Sequence, residues 1–235
     1  MPNESAQNPT NNKAKAPAKP NSRAPLVILL SCAAFAAAIW LWADYIEDRV
    51  IPRNFSTVSE NHVYRAGRQT PPTLSRIITK HNIKTVVDLG GYPNHSQREQ
   101  RMVDVAESLG ASRTELRLHG DATGNPNAYV EALRIIANKD NHPVLVHCAA
   151  GSERTGATIA MYQHLYEDVP LIDALPNALN NRHEIKSNPR MFQYVVNNID
   201  AIKRALDTNT WVPGYPAPGE TQDWGLQREP TTPTP

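Results

Sequence analysis

Residues 144 to 156 read VLVHCAAGSERTG, an apolar run that passes into a loop of small residues and then into TGATIAMYQHLYE, which has helical periodicity. A phosphate dianion in such a loop can accept hydrogen bonds from successive backbone N–H groups and from the first turn of the helix, provided side chains do not crowd its approach. Ala149, Ala150, Gly151 and Ser152 are small enough, and Glu153 completes the run before the arginine. The same positive field favours a thiolate over a thiol at Cys148. Arg154 adds a planar fork that matches two phosphate oxygens. One loop therefore supplies both a nucleophile and a cradle for phosphate.

His147 and Cys148, followed by five residues and then Arg154, Thr155 and Gly156, complete the pattern H-C-x5-R-[ST]-G. The segment resembles the signature of the cysteine-dependent protein tyrosine phosphatases. The resemblance implies that Cys148 attacks phosphorus, that Arg154 binds the developing equatorial charge, that the Thr155 hydroxyl helps the thiolate leave, and that His147 orients the loop. It also implies an Asp on a loop some thirty residues upstream, acting first as general acid and then as base. The acids in range are Glu115, Asp121, Glu131 and Asp140. Of these, only Asp121, in HGDATGNPN, follows a strand-like stretch and precedes a helix as a loop residue, so it is the expected acid. VYRAGRQ, residues 63 to 69, looks like the opening of the compact dual-specificity phosphatases, and TVVDLGG like their next core strand, with Gly90 where an Arg is common. Arg65 and Asp88 are expected to pair or cap within the structure; Arg117 and His119 are expected to be exposed strand residues.

These residues need a scaffold, and the surrounding pattern is that of an α/β domain. Helical spacing covers 72–81, 96–109, 127–138, 154–166, 171–183 and 189–206, with a disturbance at Pro176. Residues 84–91 and 142–148 read as buried strands, and 114–119 as a half-exposed one. The expected fold is a central, mostly parallel sheet flanked by helices, of the dual-specificity phosphatase type, over residues 61–206.

Composition bounds the rest. The chain has 235 residues, a formal net charge of +1 and 20 prolines. Near-balanced charge gives no reason to expect nucleic acid as a partner, and the prolines point to segments outside the core. The two cysteines, Cys32 and Cys148, exclude a disulfide scaffold and a cysteine-rich zinc site, and no metal or cofactor is expected. Residues 1–23 read as a disordered basic segment, 44–60 as a juxtamembrane linker and 207–235 as a disordered Pro-rich tail. Residues 24–43 carry no charge and would span roughly 30 Å as a helix, so they read as a transmembrane helix. A cleaved export signal is the alternative. Lys13, Lys15, Lys19 and Arg23 before the segment, against Arg49 and Arg53 after it, place the N-terminus in the cytoplasm and the domain outside.

A domain this small lacks the elements that deepen the pocket in the larger tyrosine-specific relatives. The expected function is therefore a membrane-anchored phosphatase acting on phosphotyrosine, phosphoserine or phosphothreonine in proteins. A phosphatase of a phospholipid precursor such as phosphatidylglycerophosphate, and a catalytically silent phosphate-binding module, remain as alternatives.

Overall fold

The computed structural model describes residues 24–42, 50–92, 96–179 and 189–218. The chain divides into two compact units, Met1–Asp44 and Tyr45–Pro235. In the first, α1 covers Ala24–Leu41, 18 residues. That is shorter than the ~20 needed to cross a bilayer's hydrocarbon core. Among the described residues no helix is long and apolar enough to cross a membrane, so the expected span over 24–43 is not confirmed. The expected disordered segment 1–23 lies outside the described residues.

Among the described residues, the second unit is built on five strands: β1 (Ser56–Ser59), β2 (Val63–Ala66), β3 (Thr85–Asp88), β4 (Ser112–Glu115) and β5 (Val144–His147), in the order β1-β2-β5-β3-β4. Only β1 runs antiparallel to its neighbour; β2, β5, β3 and β4 are mutually parallel. Among the described residues, the helices around them are α2 (Pro71–His81), α3 (Gln97–Ser108), α4 (Pro126–Ala137), α5 (Glu153–Tyr166), α6 (Leu171–Leu179) and α7 (Pro189–Asp207). The expected α/β sheet flanked by helices is the observed architecture.

The three central strands are apolar on both faces because both faces are covered. Alternation sends Val63, Val87, Val144 and Val146 into one core with Leu133, Ile136 and Met161 from α4 and α5. It sends Tyr64, Val86 and Leu145 into another with Leu74, Ile77 and Met102 from α2 and α3. Helix starts follow local chemistry. Ser96 Oγ accepts from Glu99 N at 3.1 Å to cap α3, and Asn125 Oδ1 accepts from Asn127 N at 2.9 Å to cap α4, whose first residue is Pro126.

Three expected boundaries move. The linker 44–60 contains β1, whose Ser56, Thr57 and Ser59 pair with β2, because Ser-Thr-Val-Ser is too polar to stand out as a strand yet suits a sheet edge. The strand expected at 114–119 is β4 at 112–115, and residues 116–119 leave the sheet. The alternation there is real, with Leu116 and Leu118 buried, but it belongs to extended chain crossing the core edge. Residues 208–218, expected in the tail, pack on α4, with Val212 buried; 219–235 lies outside the described residues.

Candidate active site

The loop from Cys148 to Arg154 joins β5 to α5 at the edge where the parallel strands end, the place where α/β sheets bind ligands. Its three successive carbonyls are each met from outside. Arg68 N donates to Ala149 O at 3.0 Å, Asn54 Nδ2 to Ala150 O at 3.1 Å, and Arg65 Nη2 to Gly151 O at 2.7 Å. A trans peptide sets each C=O opposite the next N–H. The amides of Ala150, Gly151 and Ser152 therefore turn to the concave side, and Gly151 N donates to Cys148 Sγ at 3.2 Å. Gly151 has φ 78, and a Cβ there would lie 2.5 Å from Gly67 N and 2.6 Å from Ala66 C, so only glycine fits where the loop stacks on the end of β2. A Cβ at Gly67 would meet Ala150 O at 2.7 Å for the same reason.

Cys148 is buried at the base of this loop. The Arg65 guanidinium, itself 4% exposed, is pushed down to about 10 by burial, against which negative charge at Cys148 pulls it up. Arg154 Nη1 donates to Leu89 O at 3.0 Å and Gly90 O at 2.6 Å, so the end of β3 aims its fork. Gly90 has φ 84, and a Cβ there would sit 3.0 Å from that Nη1. This explains glycine at a position where the resemblance leads one to expect arginine. Ser152 and Glu153 form the entry to α5, which begins one residue earlier than expected. Thr155 is wholly buried, and its Oγ1 has no hydrogen-bond partner among the described residues.

Beneath the loop, His147 and Asp88 are both buried, 3.8 Å apart. Burial pushes His147 below its ordinary value despite Asp88, so the ring is neutral; Tyr92 meets it edge-on. Burial opposes the Asp88 charge, but His147 when protonated, the Arg113 guanidinium at 2.6 Å and the Gly91 N–H at 2.5 Å outweigh it and hold the carboxyl below its ordinary value. Arg65 and Asp88 thus fill the structural roles expected of them. Arg117 is not a free strand residue: it pairs with Glu115 and Glu99 and donates to Tyr92 O at 3.0 Å.

Asp121 lies on the irregular segment 116–125 between β4 and α4, half-buried. Burial would raise its carboxyl, but the Thr123 hydroxyl at 2.8 Å, the Thr123 amide at 3.2 Å and His119 hold it low. The segment is pinned by two buried tyrosines. Tyr129 Oη donates to Ala122 O at 2.6 Å, with Ala122 at φ 67, and Tyr194 Oη donates to Gly124 O at 2.8 Å. Burial keeps the Tyr129 hydroxyl protonated, and Tyr194, Cys148 and Asp121 add to that while Arg154 opposes it. The other acids lie elsewhere. Glu115 is pushed up to about 8 by burial and by Glu99, against Arg117, but it is tied into the ion cluster beside α3. Glu131 faces Arg134 at 3.9 Å, and Asp140 lies in the 3-10 turn Lys139–Asn141.

Asn54, Tyr129 and Tyr194 escaped sequence reasoning, since a lone Asn or Tyr carries no spacing signal. The positive-φ glycines were visible only as small residues.

The sequence matches the model of the tyrosine phosphatase family over residues 49–167. It is 27% identical over 108 residues to inositol diphosphatase DSP3 of Arabidopsis thaliana, a match covering 46% of this chain and 52% of that protein. The chain thus spans about half the length of the curated relatives it matches. Among solved structures, the catalytic core of the PP-IP phosphatase SIW14 from S. cerevisiae superposes with a TM-score of 0.52 at 23% identity, covering 69% of this chain and 96% of that one. P. aeruginosa TpbA gives 0.54 at 20% identity, covering 66% and 91%. These likenesses agree on the fold, and the family match contains the whole cysteine loop together with the Asn54, Arg65 and Arg68 donors that hold it: the chain belongs to the tyrosine phosphatase family.

Proposed function

We propose that this family member hydrolyses phosphate monoesters through a phosphocysteine at Cys148, with phosphotyrosine and phosphoserine or phosphothreonine in proteins as substrates. The observation that carries the reading is the set of three outward, occupied carbonyls, which turns the amides of Ala150, Gly151 and Ser152 to the other side of the loop, where Gly151 N donates to Cys148 Sγ.

The Cys148 thiolate attacks phosphorus while the bond to the ester oxygen breaks. That oxygen takes the proton of Asp121. In the second half, Asp121 as carboxylate removes a proton from water, which attacks phosphorus and expels the thiolate. The Thr155 hydroxyl, buried and without another partner, is supplied for that thiolate. The low carboxyl of Asp121 suits the second half; for the first, an arriving phosphate dianion raises it, because a nearby like charge favours the protonated form. His147, neutral and packed between Asp88 and Tyr92, orients the loop without exchanging protons.

The loop carries no lysine and has an acid at Glu153, which disfavours polyphosphorylated headgroups close to the cysteine. TpbA, of similar fold, has been solved with pTyr. A second reading is supported by a different region. A cleft of about 780 Å³ opens beside Asp121, and its lining includes His119, Arg190, Gln193, Asn197 and Asn198. Such a surface suits a polar, anionic leaving group, and two curated relatives are named inositol diphosphatases. Initial rates on phosphopeptides, an inositol diphosphate and phosphatidylglycerophosphate, each against a Cys148→Ser blank, separate these readings. The first requires kcat/KM highest on phosphopeptides. A preference for the inositol diphosphate replaces it with the second, and a preference for the lipid refutes both.

The proposal includes a tether through residues 24–43, with the N-terminus cytoplasmic and the domain extracytoplasmic. The uncharged α1 and the basic bias before it support this, and its length of 18 residues counts against it. An alkaline phosphatase fused after residue 207 should be active in a bacterial host; a fluorescent, inactive pattern with a cytoplasmic reporter refutes the orientation.

A further inference from the structure

Residues 210–217 are bonded to the loop that carries Asp121. From Thr210 to Ala217 the backbone runs along α4. Arg134 donates to Thr210 O at 2.6 Å, and its guanidinium lies 4.2 Å from the Trp211 ring centre. Asn127, wholly buried, commits its carboxamide to this segment. Oδ1 accepts from Val212 N at 2.8 Å, and Nδ2 shares its protons among Val212 O at 3.3 Å, Tyr215 O at 3.1 Å and Pro216 O at 3.2 Å. Asn125 joins the two regions. Its Oδ1 caps α4, and its Nδ2 donates to Pro216 O at 2.9 Å.

Asn125 is also the last residue of the segment 116–125, which has no ladder of its own. Ala122 sits at φ 67 and Gly124 at φ 127, conformations that local preference does not hold in place. Among the groups that hold the segment are Asp88 O at Leu116, Tyr129 at Ala122, Tyr194 at Gly124 and Pro216 at Asn125. Pro213 and Pro216 fix their own φ and have no N–H to satisfy, so the segment binds α4 with little ordering cost.

We infer that Thr210–Ala217 is a strap that positions the Asp121 loop, with Asn125 and Asn127 as its positioning residues; the catalytic half of this inference rests on Asp121 as the general acid. Neither asparagine touches substrate. Without the strap the buried Asn127 carboxamide loses its partners, Asn125 Nδ2 loses its acceptor, and the C-terminal end of the loop loses an anchor.

Asn125→Ser and Asn125→Asp, each in the full chain, keep an oxygen to cap α4 and delete the Nδ2 donor to Pro216 O. Agreement between the two separates loss of the donor from added charge. In both, amide hydrogen exchange over 119–125 should become roughly three- to tenfold faster. The kcat on an alkyl phosphate should fall by roughly the same factor, and that on nitrophenyl phosphate by less than about twofold, because an acidic leaving group needs little protonation. Unchanged exchange in both variants overturns the strap. Faster exchange with equal loss on both esters overturns its catalytic role, provided Asp121→Asn discriminates between them. If Asp121→Asn does not discriminate, the acid assignment is what fails, and exchange alone decides the strap. A chain ended after Asn209 gives the upper limit of the exchange effect.

Discussion

Between Cys148 and Arg154 the backbone leaves a strand and enters a helix, and each outward carbonyl meets a donor from residues 54–68. Between Leu116 and Asn125 there is neither strand nor helix, and the carbonyls of Ala122 and Gly124 are held by side chains, one from α4 and one from α7. In the proposed function the first loop binds charge with main-chain amides, so its job would depend on backbone shape, and backbone shape demands glycine at residue 151 and glycine at residue 67 behind it. The second presents one carboxylate, so its job depends only on where a single side chain stands. Rigid backbone recognition leaves a dense local pattern in sequence, whereas placing one carboxylate can be done by scattered anchors.

The difference can be broken or sharpened by experiment, beginning with activity. Cys148→Ser should abolish turnover while phosphate-ester binding, measured calorimetrically, persists, because the amides and Arg154 remain; turnover near that of the parent would refute the covalent route. Arg154→Lys should lower kcat/KM by roughly 10²-fold or more, since an ammonium cannot reproduce a fork aimed by Leu89 O and Gly90 O. Asp121→Asn should cost roughly 10²-fold in kcat on alkyl phosphates and far less on nitrophenyl phosphate, with the basic limb of the pH profile weakened. An equal loss on both esters would move the acid elsewhere.

The effects on stability are smaller. Acid should destabilise the domain once its buried carboxylate is titrated. His147 is held below 6.5 and Asp88 below 3.8 in the folded state, so in both cases the unfolded chain binds protons that the folded one refuses. The stability each provides is complete above those values and is lost as pH falls through the lower folded ones. Glu115, raised to about 8 in the folded state, acts in the opposite sense and adds stability as pH falls from about 8 to 4.5, so denaturant midpoints should fall clearly only below about 4; a midpoint that rises below about 4 would contradict the Asp88 assignment. The last test compares two glycines. Gly151→Ala places a Cβ against backbone at positive φ and should cost more than about 1 kcal/mol. Gly120→Ala, beside Asp121, meets nothing within 4 Å and should stay within about 0.5 kcal/mol. Similar costs at the two sites would remove the contrast between the loops.

The spacing from His147 to Gly156 is enough to name nucleophile, cradle and guanidinium, because strand, loop and helix are contiguous and each position has one physical task. Periodicity likewise yields the order of helices and the buried strands, because covering both faces of a parallel sheet forces near-continuous apolar runs such as VLV in β5 and TVV in β3. Asp121 emerges only as the one acid left in a loop once the family resemblance asks for such a residue. The edge strand β1, the shift of β4 to 112–115 and the packing of 208–218 leave no such trace, since a polar edge, a buried alternation outside a sheet and a Pro-rich strap look locally like linker, strand and tail. Tertiary structure alone decides that Asn54, Arg65 and Arg68 meet three carbonyls more than eighty residues away, and that Tyr129, Tyr194 and Asn125 anchor the acid loop. A hydrogen bond to a backbone carbonyl asks of its donor only a position in space, and position in space is what folding supplies and sequence spacing does not record.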